Sequence, residues 1–283
     1  MNEKIELRKV RTFGEIIEDS IQFFKQNGKP LLRAYLFICG FFWVTSSVVS
    51  VFNQVQVFEH QAKGEPVFSL TYFLSSLYEV VNFLVVTLTI LSFIALYKEK
   101  DNEPPTVEEV WSYVKYFFFR VFGSYLALGA LIIAGILFCI LPGIYFSVVF
   151  SLTLPVMIME NSTLGYAFSR SFQLIKGRWW QTLGIIIVSE IIIAAAMLSV
   201  SIPTMLVVLG TSFLTNTKDA NVYMYAFLII SHLLQFVYIL PLIAVSLGYF
   251  SYTEQDDQGT LYQRIMNIGK HDADADQQIT EEY

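Results

Sequence analysis

The sequence predicts an all-α polytopic membrane protein with six transmembrane helices in three hairpins, each hairpin preceded by an amphipathic helix lying in the cytoplasmic interface. Composition is the first reason. Hydrophobic residues make up 55% of the 283 and charged residues only 15%, whereas charged residues approach about a quarter of an ordinary soluble domain. The second is a set of apolar runs long enough to cross a bilayer, which needs about 20 residues for about 30 Å of hydrocarbon. The third is a short amphipathic segment, opened by threonine, that recurs ahead of each pair of runs.

The net charge of −6 arises in the tail from Ser251, where Glu254, Asp256, Asp257, Asp272, Asp274, Asp276, Glu281 and Glu282 face only Arg264 and Lys270. The rest of the chain is balanced, so the basic footprint of a nucleic-acid binder is absent. Cys39 and Cys139 fall inside apolar runs, where a thiol packs as a small hydrophobe. The threading below sets them near opposite membrane faces, and no disulfide is expected between them. The charged N-terminus reaches its first long apolar run only near residue 31, so it does not read as a cleavable signal peptide.

In the first round, residues 12–26 carry Phe13, Ile16, Ile17, Ile21 and Phe24 at helical spacing. Thr12 and Glu15 form a capping box that starts the helix, and its length and two-faced character suit the interface. Gly28 and Pro30 separate it from a first span over 31–52. A polar stretch, 53–76, leaves the bilayer, and a second span runs from about 77 to 97 before Lys98, Glu99, Lys100 and Asp101 stop it.

The second round opens at Thr106 with Glu109 as its box partner, and Val107, Val110, Trp111, Val114, Phe117 and Phe118 form the apolar face. Spans three and four, about 121–141 and 143–159, are separated only by Pro142-Gly143, which predicts a tight antiparallel hairpin. The third round starts at Ser162 or Thr163, sets Leu164, Phe168, Phe172 and Ile175 on one face and ends at Gly177. Span five follows over 182–210, with a break expected at 201–204, and span six over 222–250 contains Pro241.

From each opening threonine to the basic end of its helix is about 14 residues, which supports a threefold repeat over roughly 12–97, 106–159 and 163–250. These make one membrane domain, 1–252; the acidic tail, 253–283, has the composition of a largely disordered segment, with a short helix around 261–268. The loops after spans one, three and five hold only Lys63 and Lys218 between them. By the positive-inside rule both termini and all three surface helices then face the cytoplasm, and the expected location is the bacterial inner membrane.

Leu141-Pro142-Gly143-Ile144-Tyr145, the apolar run ending in Glu160, and the segment from Gly165 through Arg170, Lys176, Gly177 and Arg178 to Trp180 resemble a known family. It is the membrane domain found in front of some bacterial glycerophosphodiester phosphodiesterases, together with related stand-alone six-helix proteins of unknown function. The opening Thr12-Phe13-Gly14-Glu15-Ile16 also fits the stand-alone members, so the likeness covers most of 10–252. The resemblance implies a multi-span membrane protein of bacterial type. It does not supply catalysis, since the phosphodiesterase barrel would need about 250 further residues.

Two groups of residues stand out as candidates. Arg170, Lys176 and Arg178 beside Trp179 and Trp180 either hold anionic lipid head groups or orient the chain by charge and an aromatic belt. Glu190 lies about nine residues into span five, about 13 Å deep, where an unpaired carboxylate is expensive. Tyr238 lies at a similar depth, with Asn82, His232 and Gln235 nearer the outer side. These line a polar cavity, or else a hydrogen-bonded Glu190 fastens two helices.

Pro155 and Pro241 interrupt their spans, as in discontinuous transporter helices or as tolerated kinks. His271 with Asp272, Asp274 and Asp276 reads as a solvated tail and not as a metal site. No nucleophile elbow, phosphate loop or metal-ligand spacing is present, and no cofactor is expected. The function these features favour is a non-enzymatic module that engages membrane lipids, anionic ones included, or partner membrane proteins in envelope maintenance or as a scaffold. The alternative is a small transporter or lipid-translocating protein with Glu190 in its path.

Overall fold

The computed structural model describes residues 4–64, 66, 70–214 and 218–279, with side chains described through Gly259 except at 208, 211–214, 218–224 and 233. Helices account for all the regular structure among them: α1 (Phe13–Lys63), α2 (Leu70–Glu99), α3 (Val107–Phe138), α4 (Ile140–Ser151), α5 (Thr153–Met159), α6 (Leu164–Ile175), α7 (Trp179–Leu214), α8 (Lys218–Leu233), a 3-10 turn (Leu234–Tyr238) and α9 (Ile239–Ile279). Among the described residues six helical stretches are long and apolar enough to cross a membrane, with α4 and α5 counting as one and α8 joining α9 in another.

Both capping boxes form. The Glu15 amide donates to Thr12 Oγ1 at 3.4 Å while the Thr12 amide donates to Glu15 Oε2 at 2.7 Å, and Thr106 and Glu109 repeat the exchange at 3.3 and 2.7 Å. Thr163 begins α6 with the same extended backbone but without a side-chain cap, because the third residue on is Tyr166, which cannot return the bond.

The expected break at Gly28 and Pro30 does not occur. α1 passes through Pro30 as one helix of 51 residues, so the first surface segment and the first span are continuous. The proline forfeits one hydrogen bond, yet Phe23, Asn27, Leu31, Ala34 and Tyr35 keep a single buried stripe running past it. In the second round α3 is likewise unbroken from Val107 to Phe138. Only in the third round is the segment expected to lie on the surface a separate helix, α6, since Gly177 adopts φ 79° between α6 and α7, a left-handed conformation that suits glycine. The break expected at 201–204 is also absent, with Pro203 inside α7.

The α3–α4 turn falls at Cys139, whose extended backbone (φ −168°, ψ 141°) reverses the chain, and Pro142-Gly143 sits inside the first turns of α4. Gly143 is needed for closeness rather than for a turn. A Cβ there would lie 2.3 Å from Ile136 Cγ1 and 3.0 Å from the Ile136 amide nitrogen.

α2 forms the centre of the bundle. Every residue from Leu84 to Tyr97 is buried, as expected of a helix apolar on all sides. The outer helices instead show apolar side chains outward, with Phe119, Leu137 and Phe138 exposed by 82%, 81% and 91%. Arg11, 2% exposed, locks the N-terminus down: its side chain bonds Asp19 Oδ2 at 2.7 Å and the Leu7 carbonyl at 2.8 Å, and its amide donates to Ser251 Oγ on α9 at 2.9 Å.

α9 continues as helical backbone through Ile279, where composition alone leads one to expect a largely disordered tail. The His271, Asp272, Asp274 and Asp276 side chains lie outside the described residues.

Candidate functional site

The basic cassette is tied to α9. Arg170 Nη1 donates to Asp256 Oδ2 at 2.7 Å, and its Nε lies 4.0 Å from Glu160 Oε1, which accepts from the Tyr249 hydroxyl at 2.8 Å. Burial works against the Arg170 charge, but the Asp256 bond and the two carboxylates outweigh it and hold its pKa above the ordinary value. Arg178 Nε donates to Gln255 Oε1 at 2.9 Å, Nη1 reaches the Leu174 carbonyl at 3.0 Å, and the guanidinium lies 5.6 Å from the centre of the Tyr252 ring. Lys176 is exposed and makes no ion pair among the described residues.

The apolar face of α6 is covered by protein. Phe168 meets Phe150 at 5.4 Å and Phe172 meets Phe146 at 6.5 Å between ring centres. Trp179 stacks on Tyr145 at 6.1 Å, and Trp180, 78% exposed, meets Trp179 edge-on at 4.7 Å. Tyr145 is two residues past Gly143, so α4 reaches back to the start of α7.

Deeper in the bundle is a cavity of about 370 Å³. Glu190 and Tyr238 both line it, and so do Pro155 and Pro241. The two prolines mark the two interrupted spans. α4 gives way to α5 at Leu152, and the path from α8 to α9 passes through the 3-10 turn. Pro155 has no N–H for the Ser151 carbonyl and Pro241 none for Val237, so each helix is weakened where it borders the cavity.

Glu190 is exposed, between Ile187 and Ile191, themselves 49% and 61% exposed, so the cavity opens on the apolar outer surface. Among the described residues its carboxylate makes no hydrogen bond or ion pair, which leaves no helix-fastening bond there. Tyr238 is close enough to interact with it electrostatically.

Asn82, Gln235 and His232 stand outside the cavity on a ladder between α2 and the end of α8. Asn82 Nδ2 donates to Gln235 Oε1 at 3.1 Å, and the next contact inward is Phe83 edge-on to Tyr238 at 5.5 Å. The outward one is His232, whose Nε2 lies 3.5 Å from Glu79 Oε1 and 3.2 Å from Ser50 Oγ, while Nδ1 lies 2.7 Å from the Leu228 carbonyl. Ser50 Oγ in turn donates to Glu79 Oε1 at 3.0 Å. The 3-10 turn sets 235 and 238 in line because residues three apart eclipse in it. Sequence reading missed Glu79 and Ser50; the spacing of Glu79 and Asn82, three apart on a helix, is the signal that pairs them.

An all-helical bundle with six apolar spans and a cavity walled by interrupted helices defines a multi-pass integral membrane protein. The chain belongs to the family described as the membrane domain of glycerophosphoryl diester phosphodiesterase, whose model matches residues 121–279. That stretch contains α4 to α9 and most of α3, and it includes Glu190, Tyr238, both prolines and the basic cassette. No curated protein and no solved structure matches the chain.

Proposed function

We propose that this protein is a non-enzymatic membrane module that takes a lipid or similar amphiphile into the cavity beside Glu190. The observation that carries the reading is the cavity itself: about 370 Å³, open to the apolar surface and lined largely by apolar side chains. The basic cassette is the weaker candidate for lipid capture, because Arg170 and Arg178 already serve Asp256 and Gln255.

The test is photocrosslinking. A phospholipid with a diazirine in its acyl chain, incorporated in nanodiscs with the purified protein, should label Leu154, Ile186, Ile193 and Leu242, all of which line the cavity. Leu154→Trp, which fills the space, should suppress that labelling. Labelling spread over outward-facing Phe119, Leu137 and Phe138 with no enrichment in the cavity would overturn the reading.

The interrupted spans favour a second reading, in which the occupant is also carried across the membrane. Reconstituted liposomes with a fluorescent lipid separate the two: accelerated exchange between leaflets, lost in Leu154→Trp, marks translocation, and binding without exchange marks a holding module.

A further inference from the structure

The charge lining the cavity is of one sign. Among the described residues that line it, Glu190 is the one carboxylic acid, and none is lysine, arginine or histidine. A lone carboxylate facing hydrocarbon is costly, and nothing among the described residues offsets it by a hydrogen bond. Phe83, Tyr125, Phe150 and Tyr238 also line the space. Phe83 joins Tyr125 at 6.2 Å and Tyr238 at 5.5 Å into a continuous aromatic wall, and ring faces attract cations, most strongly where water is excluded.

Three of the six hydroxyls in the wall are already engaged by their own helices. Thr87 donates to the Phe83 carbonyl at 3.0 Å, Ser147 to Ile144 at 2.8 Å and Ser151 to Val148 at 2.8 Å. Those three protons are committed to their own helices, and the remaining hydroxyls, on Ser189, Tyr125 and Tyr238, are neutral. Among the described lining residues an anionic head group would meet a carboxylate, aromatic faces and neutral hydroxyls but no cation, whereas a cation meets a counter-charge and a π surface.

We propose that the cavity binds lipophilic cations, with the charge against Glu190 and the aromatic wall and the apolar body among Leu128, Ile132, Leu154 and Ile193. This deepens the proposed function and rests on it, since it names the chemical class of the amphiphile. Entry is lateral, through the opening beside Ile187 and Ile191 where Glu190 is exposed.

Tetraphenylphosphonium is a suitable probe, with tetraphenylborate as an anion of nearly the same shape. Equilibrium dialysis on the full chain in zwitterionic nanodiscs should show saturable binding of one phosphonium per chain and no saturable binding of the borate. Glu190→Gln should weaken phosphonium binding at least tenfold while leaving thermal stability unchanged, and Glu190→Asp should retain part of it. Should Glu190→Gln fold poorly, Leu154→Trp replaces it, since filling the cavity must abolish binding while the carboxylate stays.

Equal binding of both ions, no saturable phosphonium binding, or undiminished binding in a folded Glu190→Gln variant overturns the proposal. The lipid crosslinks described above tell the two failures apart. Cavity labelling that persists without phosphonium binding removes the cation preference alone, and loss of both removes the cavity as a binding site.

Discussion

Arg170 on α6 and Asp256 on α9 meet at 2.7 Å across 86 residues of sequence, and this pair draws the start of the acidic tail against the basic cassette. Side-chain exposures of 18% and 42% place it at the edge of the protein, where water and salt screen an ion pair. Asp256→Asn should therefore cost only about 1 kcal/mol, and less at high salt. The loss should be the same in anionic and zwitterionic detergent–lipid mixtures, measured by thermal unfolding. A loss seen only with anionic lipid would assign Arg170 to a head group instead of to Asp256.

Gly143 gives a sharper expectation. Its missing Cβ is what lets α4 lie against Ile136, and two of the three atoms that a methyl would strike are backbone. Gly143→Ala should destabilise the packing of α4 on α3 by about 1–3 kcal/mol, the usual range for overpacking. Ile136→Ala in the same chain should recover only part of that, because it removes the Cγ1 contact and leaves the backbone ones. Gly123→Ala, with open space around it, serves as the control and should be neutral or slightly stabilising. Unchanged melting of Gly143→Ala would mean that the two helices do not approach this closely.

The Asn82–Gln235 bond predicts non-additivity. Asn82 is 1% exposed and Gln235 half-buried, so removing Gln235 leaves a buried amide unpaired at a cost of about 1–3 kcal/mol, and removing Asn82 leaves a half-buried one at a smaller cost. Asn82→Leu and Gln235→Leu should each lower the melting temperature, and the double variant should be more stable than the sum of the two losses implies. Strictly additive losses would show that these side chains do not meet.

The two cysteines should differ in reactivity. Cys39 is buried and lies within hydrogen-bonding distance of Thr89 at 3.4 Å, whereas Cys139 is exposed at the α3–α4 turn. A maleimide should modify Cys139 in the detergent-solubilised native protein and reach Cys39 only after unfolding. Rapid labelling of Cys39 in the Cys139→Ser variant would contradict the packing of α1 on α2.

Local features were legible in the sequence for local reasons. A capping box closes over three residues, so Thr12–Glu15 and Thr106–Glu109 announce two helix starts, and Gly177 marks the end of α6 by its own conformational freedom. Apolar length alone identifies six spans, because a bilayer sets a minimum that no neighbour alters. The depth of Glu190 and Tyr238 could be counted along their helices, which is why both reappear in one cavity.

What only the tertiary structure decided depends on partners far away in the chain. Pro30 and Pro203 read as breaks, and it is packing against other helices that carries α1 straight through the first. The reversal at Cys139 instead of Pro142-Gly143 follows from the contact of Gly143 with Ile136, which no turn propensity encodes. Arg178 reads either as a lipid ligand or as part of an orienting charged belt, and only the fold brings Gln255, 77 residues on, to its guanidinium. The cavity is likewise a property of six helices and the 3-10 turn meeting, since the sequence records each lining residue but not the distances between them; those are set when side chains from separate spans settle the same space.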